Sequence, residues 1–203
     1  RVFEVPSKTL GEAKRDPIFW IYSASLGFQG LIGTALTFHV VSIFNEAGRN
    51  SEEAFGYFLP AAIFSVSANL IASWLVDRYS LKPFLLTKLT LMTIGCCGLL
   101  NLNEPWGFWL LAVGWGCSGG LWSVLSNLVH IRFFGPLNLG AISGLSTSLT
   151  VFASAIGPAA FSLSLDVFGS YSEAIKISIG FVICLLITAV ITPQNEPGPR
   201  FES

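Results

Sequence analysis

The feature that most constrains this 203-residue chain is a set of long stretches without any charged side chain. An α-helix needs about 20 mostly apolar residues to cross the hydrocarbon core of a bilayer. A charge at the centre of such a helix costs about 3 kcal/mol. A soluble protein could not cover its surface with these stretches, so we predict a membrane protein. They run between Asp16 and Glu46, Glu53 and Asp77, Glu104 and Arg132, Arg132 and Asp166, and Lys176 and Glu196.

The apolar stretches predict an all-α membrane protein with six transmembrane helices. They are continuous rather than alternating, which favours helices over barrel strands because a helix satisfies its own backbone polar groups. Lys88 falls early in the third helix, and we expect its long side chain to snorkel to the headgroups. The predicted spans are 18–44, 55–76, 84–102, 106–131, 138–165 and 174–191.

Basic residues indicate the orientation of the helices. Nine lysines and arginines lie in or beside the N-terminal segment, the second and fourth loops and the C-terminal tail, whereas the other loops hold only Arg49 and Lys176. Cytoplasmic loops carry such an excess, so both termini are predicted to be cytoplasmic, with the protein in the plasma membrane. Residues 192–203 are predicted to be a disordered cytoplasmic tail.

The segment before the first span, residues 1–17, is predicted to be a cytoplasmic linker. Thr9 and Glu12 have the spacing of a capping box, which predicts a short amphipathic helix. A linker without regular structure is the alternative. Because the chain opens at Arg1 rather than Met, we expect it to be part of a longer protein.

Composition also argues against several classes of function. The formal net charge is −1, which gives no basic surface for nucleic acid. The predicted spans contain no Ser/His, His/Glu or paired-Asp group that could do chemistry, so we predict no enzyme activity, metal or cofactor. The four cysteines form no CxxC pair and are interpreted as packing residues within the spans. They are Cys96, Cys97, Cys117 and Cys184.

A weak internal repeat relates the two halves of the chain. Residues 75–80 read Leu-Val-Asp-Arg-Tyr-Ser, and residues 165–170 read Leu-Asp-Val-Phe-Gly-Ser. Aligning Asp77 with Asp166 places each one after the second helix of a three-helix unit. Because three is odd, the two loops lie on opposite membrane faces, which predicts a 3+3 inverted repeat.

The loop after the second span, Asp77-Arg78-Tyr79-Ser80-Leu81-Lys82, resembles the signature loop of the major facilitator superfamily. Ser73, Ser80 and Leu81 replace residues that are common in that family. Further motifs resemble the oxalate/formate antiporter-like and monocarboxylate porter-like members. They are Arg15-Asp16-Pro17-Ile18-Phe19-Trp20, Thr37-Phe38-His39, Arg132-Phe133-Phe134-Gly135, Gly140, Gly144, Gly157-Pro158, Asp166 and Gly169-Ser170-Tyr171.

This resemblance implies the C-terminal six-helix half of a twelve-helix secondary transporter, an antiporter or symporter that works by alternating access. Its partners would be the missing N-terminal six-helix bundle, the lipid bilayer and a small-molecule substrate, expected to be a monocarboxylate-type anion. The second and fifth spans lack the basic residue that carboxylate carriers of this group commonly have there. A neutral solute, such as a sugar or drug-like molecule, therefore stays open, as does a non-transporting six-span scaffold or sensor.

The resemblance also implies gating roles for Asp77, Arg78 and Lys82, with ordinary positive-inside loop charge as the alternative. Polar residues within the predicted spans are candidates for the substrate pathway. Buried amides need partners, and a histidine can carry a proton or bind an anion, although His39 also fits a neutral, hydrogen-bonded role. Hydroxyls and glycines in stripes fit close helix packing equally well. The candidates are Gln29, Thr37, His39, Asn69, Ser123, Asn127, Ser146, Thr147 and Thr150.

Overall fold

A computed structural model describes residues 7–194, and six helical spans within them are long and apolar enough to cross a membrane. Regular structure in this part of the chain is entirely α-helical, which confirms the predicted fold class. Residues 1–6 of the predicted linker and 195–203 of the predicted tail lie outside the described residues. The spans are Pro17–Glu46, Ser51–Leu75, Leu81–Leu100, Pro105–Phe134, Leu139–Phe168 and Ser172–Ile191.

Proline and side-chain caps set several helix ends. Asp16 caps the first span by accepting a hydrogen bond from the Ile18 amide, and Pro17 occupies the first helical position, where its missing N–H costs nothing. The second span consists of two helices, Ser51–Gly56 and Phe58–Leu75, which meet at Tyr57. Pro60 has no backbone N–H to donate to the carbonyl of Gly56, four residues earlier. The helical hydrogen bonds are therefore interrupted at this point.

A short helix, Leu10–Ala13, precedes the first span and has the capping box that Thr9 and Glu12 form. Hydrogen bonds from the backbone and side chain of Thr9 lower the pKa of the Glu12 carboxyl. The amide of Lys8 donates to the carbonyl of Phe134, 2.9 Å away. This segment therefore lies against the end of the fourth span.

Both ends of the bundle lie at one side, called here the terminal face, which holds Pro17, the loop 76–80, Gly135 and Ile191. The other side is called the opposite face. There Arg49 joins two loops: its guanidinium donates to the carbonyls of Leu102 (2.5 Å) and Glu104 (3.0 Å). It also forms an ion pair with Glu53.

Two equivalent long interfaces organise the spans. The first span packs along the fifth, and the fourth packs along the second. Superposing the first three spans on the last three places the first span on the fourth and the second on the fifth. This superposition turns one interface into the other, as an inverted repeat requires. Both interfaces rely on glycine: a Cβ on Gly157 would overlap the carbonyl of Leu31, and a Cβ on Gly116 would lie 2.5 Å from the carbonyl of Ala61.

The third span packs closely on the fourth through glycines on both helices. A Cβ added to Gly95 would lie 2.9 Å from the amide nitrogen of Trp115, and one added to Gly114 would lie 2.6 Å from the carbonyl oxygen of Leu91. Such small residues let membrane helices approach until their backbones touch.

The spans differ in how much of them the bundle covers. In their most apolar stretches, 44% of residues are buried in the first span and 50% in the third and fourth. The corresponding values are 11% for the second span and 17% for the fifth. These two spans therefore present long apolar faces outward.

We predict that Gly114→Ala destabilises the bundle because its new methyl group meets the backbone of the third span. Overpacking of this kind costs about 1–3 kcal/mol. The measurement is the unfolding midpoint in mixed detergent micelles, followed by helical circular dichroism. Gly144→Ala is the matched control, since a Cβ there meets nothing within 4 Å. Equal midpoints for the two variants would contradict the proposed role of the interface.

Candidate functional site

A pocket of about 240 Å³ opens between the first, second and fourth spans. It lies nearer the opposite face than the terminal face. Thr37 and Ser65 contribute hydroxyl groups to its lining, while Tyr57 and Trp115 contribute aromatic rings. The volume is below the 300–1,000 Å³ that is usual for a ligand site. This pocket alone is therefore smaller than a complete ligand site.

The hydroxyl of Tyr57 is the most distinctive group of this pocket. The residue is 1% exposed, and its hydroxyl has no hydrogen-bond partner among residues 7–194. The helix break before Phe58 places this tyrosine at the start of the longer helix of the second span. A buried polar group without a partner is costly, so the phenol is an unsatisfied donor, and its hydroxyl is itself enclosed by the protein.

Among the predicted pathway residues, Thr37 lines the pocket, and its hydroxyl also donates to the carbonyl of Gly33. Asn69 is half-buried and donates to the carbonyl of Gly120 across the interface of the second and fourth spans. Ser123 accepts a hydrogen bond from the side chain of Asn127 within its own helix. These contacts place Asn69 in helix packing and leave Asn127 exposed.

On the fifth span, the predicted residues are distributed over different environments. Ser146 is buried and accepts a hydrogen bond from Ser23 of the first span at 3.0 Å. The hydroxyl of Thr150 donates to the carbonyl of Ser146 in the preceding turn, and Thr147 is exposed. The predicted stripe is thus not one continuous polar wall.

Gln29 lies inside the bundle and is 7% exposed. Its amide nitrogen donates to the hydroxyl of Ser118 on the fourth span, 3.1 Å away. Its amide oxygen is buried without a partner among the described residues. The first span therefore carries one further unsatisfied acceptor close to the centre of the bundle.

The expectation that Lys88 snorkels to the headgroups is wrong. Its side chain is fully buried, and its amino group donates to the carbonyl (2.5 Å) and hydroxyl (2.8 Å) oxygens of Ser25. The two oxygens of one serine supply the partners that the headgroups would otherwise provide. Lys88 thereby ties the third span to the first within the bundle interior.

His39 lies at a junction of the first, fifth and sixth spans rather than in the pocket. Its Nε2 is 3.1 Å from the carbonyl oxygen of Pro158, which can only accept, so Nε2 carries the proton. Its Nδ1 is 3.3 Å from the hydroxyl of Tyr171, which in turn donates to Ser42. Each ring nitrogen of His39 therefore has a polar group within 3.3 Å.

The loop that resembles the family signature is held at the terminal face by basic side chains. Arg132, at the end of the fourth span, donates to the carbonyls of Val76 (2.6 Å) and Tyr79 (3.3 Å). Lys82 donates to the carbonyls of Val190 and Thr192 at the end of the sixth span. These contacts fix the loop relative to two other helices.

Asp77 and Arg78 project from this loop. The side chain of Asp77 is 87% exposed, and its closest cation is Arg132 at 3.8 Å. The guanidinium of Arg78 lies over the ring of Trp74, 4.6 Å from its centroid. The carboxylate of Asp77 is therefore accessible to a donor on another body.

Sequence reasoning overlooked Tyr57 in the pocket and the contact between Lys88 and Ser25. Pro60, three residues after Tyr57, was the available signal for the helix break. The spacing of Ser25 and Gln29, four residues apart on one helical face, was a signal for a polar contact with neighbouring helices.

Six apolar spans, with two close-packed pairs related by an inverted repeat, define a multi-pass integral membrane protein. Residues 2–158, well over half of the chain, match the family model of the Major Facilitator Superfamily. The chain belongs to this superfamily, and its fold corresponds to half of a major facilitator transporter. None of the curated proteins compared with it matches. The oxalate/formate and monocarboxylate subgroups stay a prediction.

We predict that Ser25→Ala lowers stability by about 1–3 kcal/mol, because it removes one of the two oxygens that accept from the buried amino group of Lys88. In a Lys88→Met background, the same substitution should cost much less. Unfolding midpoints of the four proteins in a double-mutant cycle measure this difference. Ser23→Ala, whose partner is Ser146, is the control and should cost the same in both backgrounds. Independence of Ser25 and Lys88 would exclude the coupling.

Proposed function

We propose that this chain is the C-terminal half of a secondary active transporter that moves a small organic solute by alternating access. The observation that carries the proposal is the pocket between the first, second and fourth spans, whose lining includes Thr37, Ser65 and Tyr57. A pocket of this size completes a ligand site only together with a second wall.

The missing wall is proposed to be a second six-helix bundle. The second and fifth spans have the lowest buried shares, and both expose large apolar side chains along their length. Another bundle packed on these two faces would leave the pocket between the halves, where rocking could expose it to either side of the membrane in turn. The proposed role is transport rather than catalysis.

The proposed substrate is a monocarboxylate-type anion. A carboxylate is a strong acceptor for the hydroxyl donors of Tyr57, Thr37 and Ser65. A neutral solute is the second candidate, because the described pocket lining contains no charged side chain to compensate an anion. In the first case, the second bundle has to supply the cation.

Two further roles belong to this proposal. The accessible carboxylate of Asp77, with Arg78 and Lys82 beside it, is proposed to close the terminal side by contact with the second bundle. His39 is proposed as a proton carrier, because each of its ring nitrogens has a polar partner within a junction of three spans. We place the terminal face in the cytoplasm and the protein in the plasma membrane, following the distribution of basic residues.

Uptake into proteoliposomes that contain the complete gene product tests the function. Labelled monocarboxylates and labelled sugars are compared across a range of pH, with and without an imposed proton gradient. Saturable uptake of a carboxylate supports the first substrate class, and saturable uptake of a sugar supports the second. If a folded, correctly inserted protein moves neither class or any competitor in a broader panel, the scaffold or sensor alternative replaces transport.

We predict that Tyr57→Phe raises the KM for transport about tenfold, because the enclosed hydroxyl is proposed to be uncovered and to donate to the substrate when the site is occupied. The same variant should be at least as stable as the wild type, since the lost hydroxyl has no partner in the unliganded protein. Initial uptake rates and the unfolding midpoint are measured together. Thr90→Val, which removes an exposed hydroxyl outside the pocket, is the control. An unchanged KM would remove Tyr57 from the substrate site.

We predict that Asp77→Asn slows uptake about tenfold without affecting membrane insertion, because it weakens a charge-assisted contact between the bundles. Glu52→Gln, an exposed acidic residue at the opposite face, is the matched control. Uptake rate and the amount of inserted protein are measured for each variant. Wild-type uptake by Asp77→Asn would exclude the gating role.

A further inference from the structure

A second cavity, of about 520 Å³, lies between the second and third spans and has the fourth span as its floor. It is called here the terminal-face groove, and its lining includes Phe64, Ile71, Tyr79, Pro83 and Leu91. Apolar side chains make up nearly all of this lining. The groove does not share any lining residue with the pocket that contains Tyr57.

The length of the terminal-face groove matches one leaflet of a bilayer. Along the second span it runs from Phe64 to Leu75, which is about 17 Å at 1.5 Å per residue. One half of the hydrocarbon core is about 15 Å thick. The groove ends at Tyr79 and Pro83 on the terminal face, where a lipid of that leaflet would place its headgroup.

The groove runs along the second span as an open apolar channel. An extended acyl chain can lie along such a channel. The basic side chains at its terminal end favour an acidic lipid over an apolar helix as the occupant.

The end of the groove at the terminal face is positively charged. The guanidinium of Arg78 lies over the ring of Trp74, and within residues 7–194 no hydrogen bond or ion pair to this guanidinium is seen. Lys82 and Arg132 lie close by with their charges directed to backbone carbonyls, and the one carboxylate of this loop is Asp77. The third span also begins here, so the positive end of its helix dipole faces the same place.

Aromatic residues mark the same level of the groove. Trp74 and Tyr79 are 63% and 59% exposed, and such rings prefer the depth of lipid headgroups. The terminal face is also the one that the basic residues assign to the cytoplasmic leaflet, which carries the anionic lipids.

From this geometry we infer that the terminal-face groove is a binding site for an anionic phospholipid, with one acyl chain between the second and third spans and the phosphate at Arg78. The acyl chain covers the apolar lining of the groove, and the phosphate accepts hydrogen bonds from the guanidinium of Arg78. The acyl chain lies outside the substrate pocket, whereas Arg78 belongs both to this site and to the loop that is proposed to close the terminal side.

A photoreactive phosphatidylglycerol with a diazirine on its acyl chain tests the site in phosphatidylcholine vesicles containing the complete gene product. Labelled peptides are mapped by mass spectrometry and compared with those from the corresponding phosphatidylcholine probe. We expect labelling to be concentrated at the groove. The anionic probe should give about fivefold more labelling, because one basic side chain near a lipid surface favours an anionic headgroup by about that factor. Equal labelling by both probes overturns the inference.

Two pairs of variants separate the chain and headgroup contacts. Arg78→Gln should remove the preference for the anionic probe, whereas Lys14→Gln, at the same face, should keep it. Ser67→Trp fills the groove and should abolish labelling there by both probes, whereas Leu70→Trp, an exposed position of the same span outside the groove, should not. Equal behaviour of the members of either pair overturns the site. Cross-links from the groove to another protein segment, with no lipid adduct, also overturn it.

Discussion

The interior of this bundle depends on hydrogen bonds that replace water for polar groups on the first span. Ser23 bonds to the fifth span, Ser25 to the third and Gln29 to the fourth. In lipid an unpaired polar group is costly, so each of these bonds also selects which neighbour the first span accepts. The glycine contacts then bring the backbones close enough for the short side chains to reach one another.

The helical architecture could be predicted because the positions of charged residues along the sequence determine where a helix can cross the membrane. Charge is excluded from hydrocarbon, so long uncharged stretches indicate spans and their number. Lys88 shows where this reasoning fails. A lysine near a predicted helix end has two ways to avoid lipid, outward to the headgroups or inward to another helix, and the choice depends on the oxygens of Ser25, which only the packed bundle brings into reach.

The candidate site was less predictable, because polar residues in a membrane helix serve packing and binding with the same groups. Of the pathway residues predicted from sequence, Thr37 lines the pocket, whereas Asn69 and Ser146 bond to neighbouring helices. Tyr57 was not among the predicted pathway residues. It lies where the second span is interrupted, and its buried hydroxyl has no partner among the described residues.

The arginine contacts at the two ends of the bundle have a mechanical consequence. Arg49 ties the loop between the first and second spans to the loop between the third and fourth, and Arg132 ties the loop after the second span to the end of the fourth. With one such staple at each membrane face, neighbouring helices resist sliding along one another. The spans that these two arginines join are therefore expected to move as one unit.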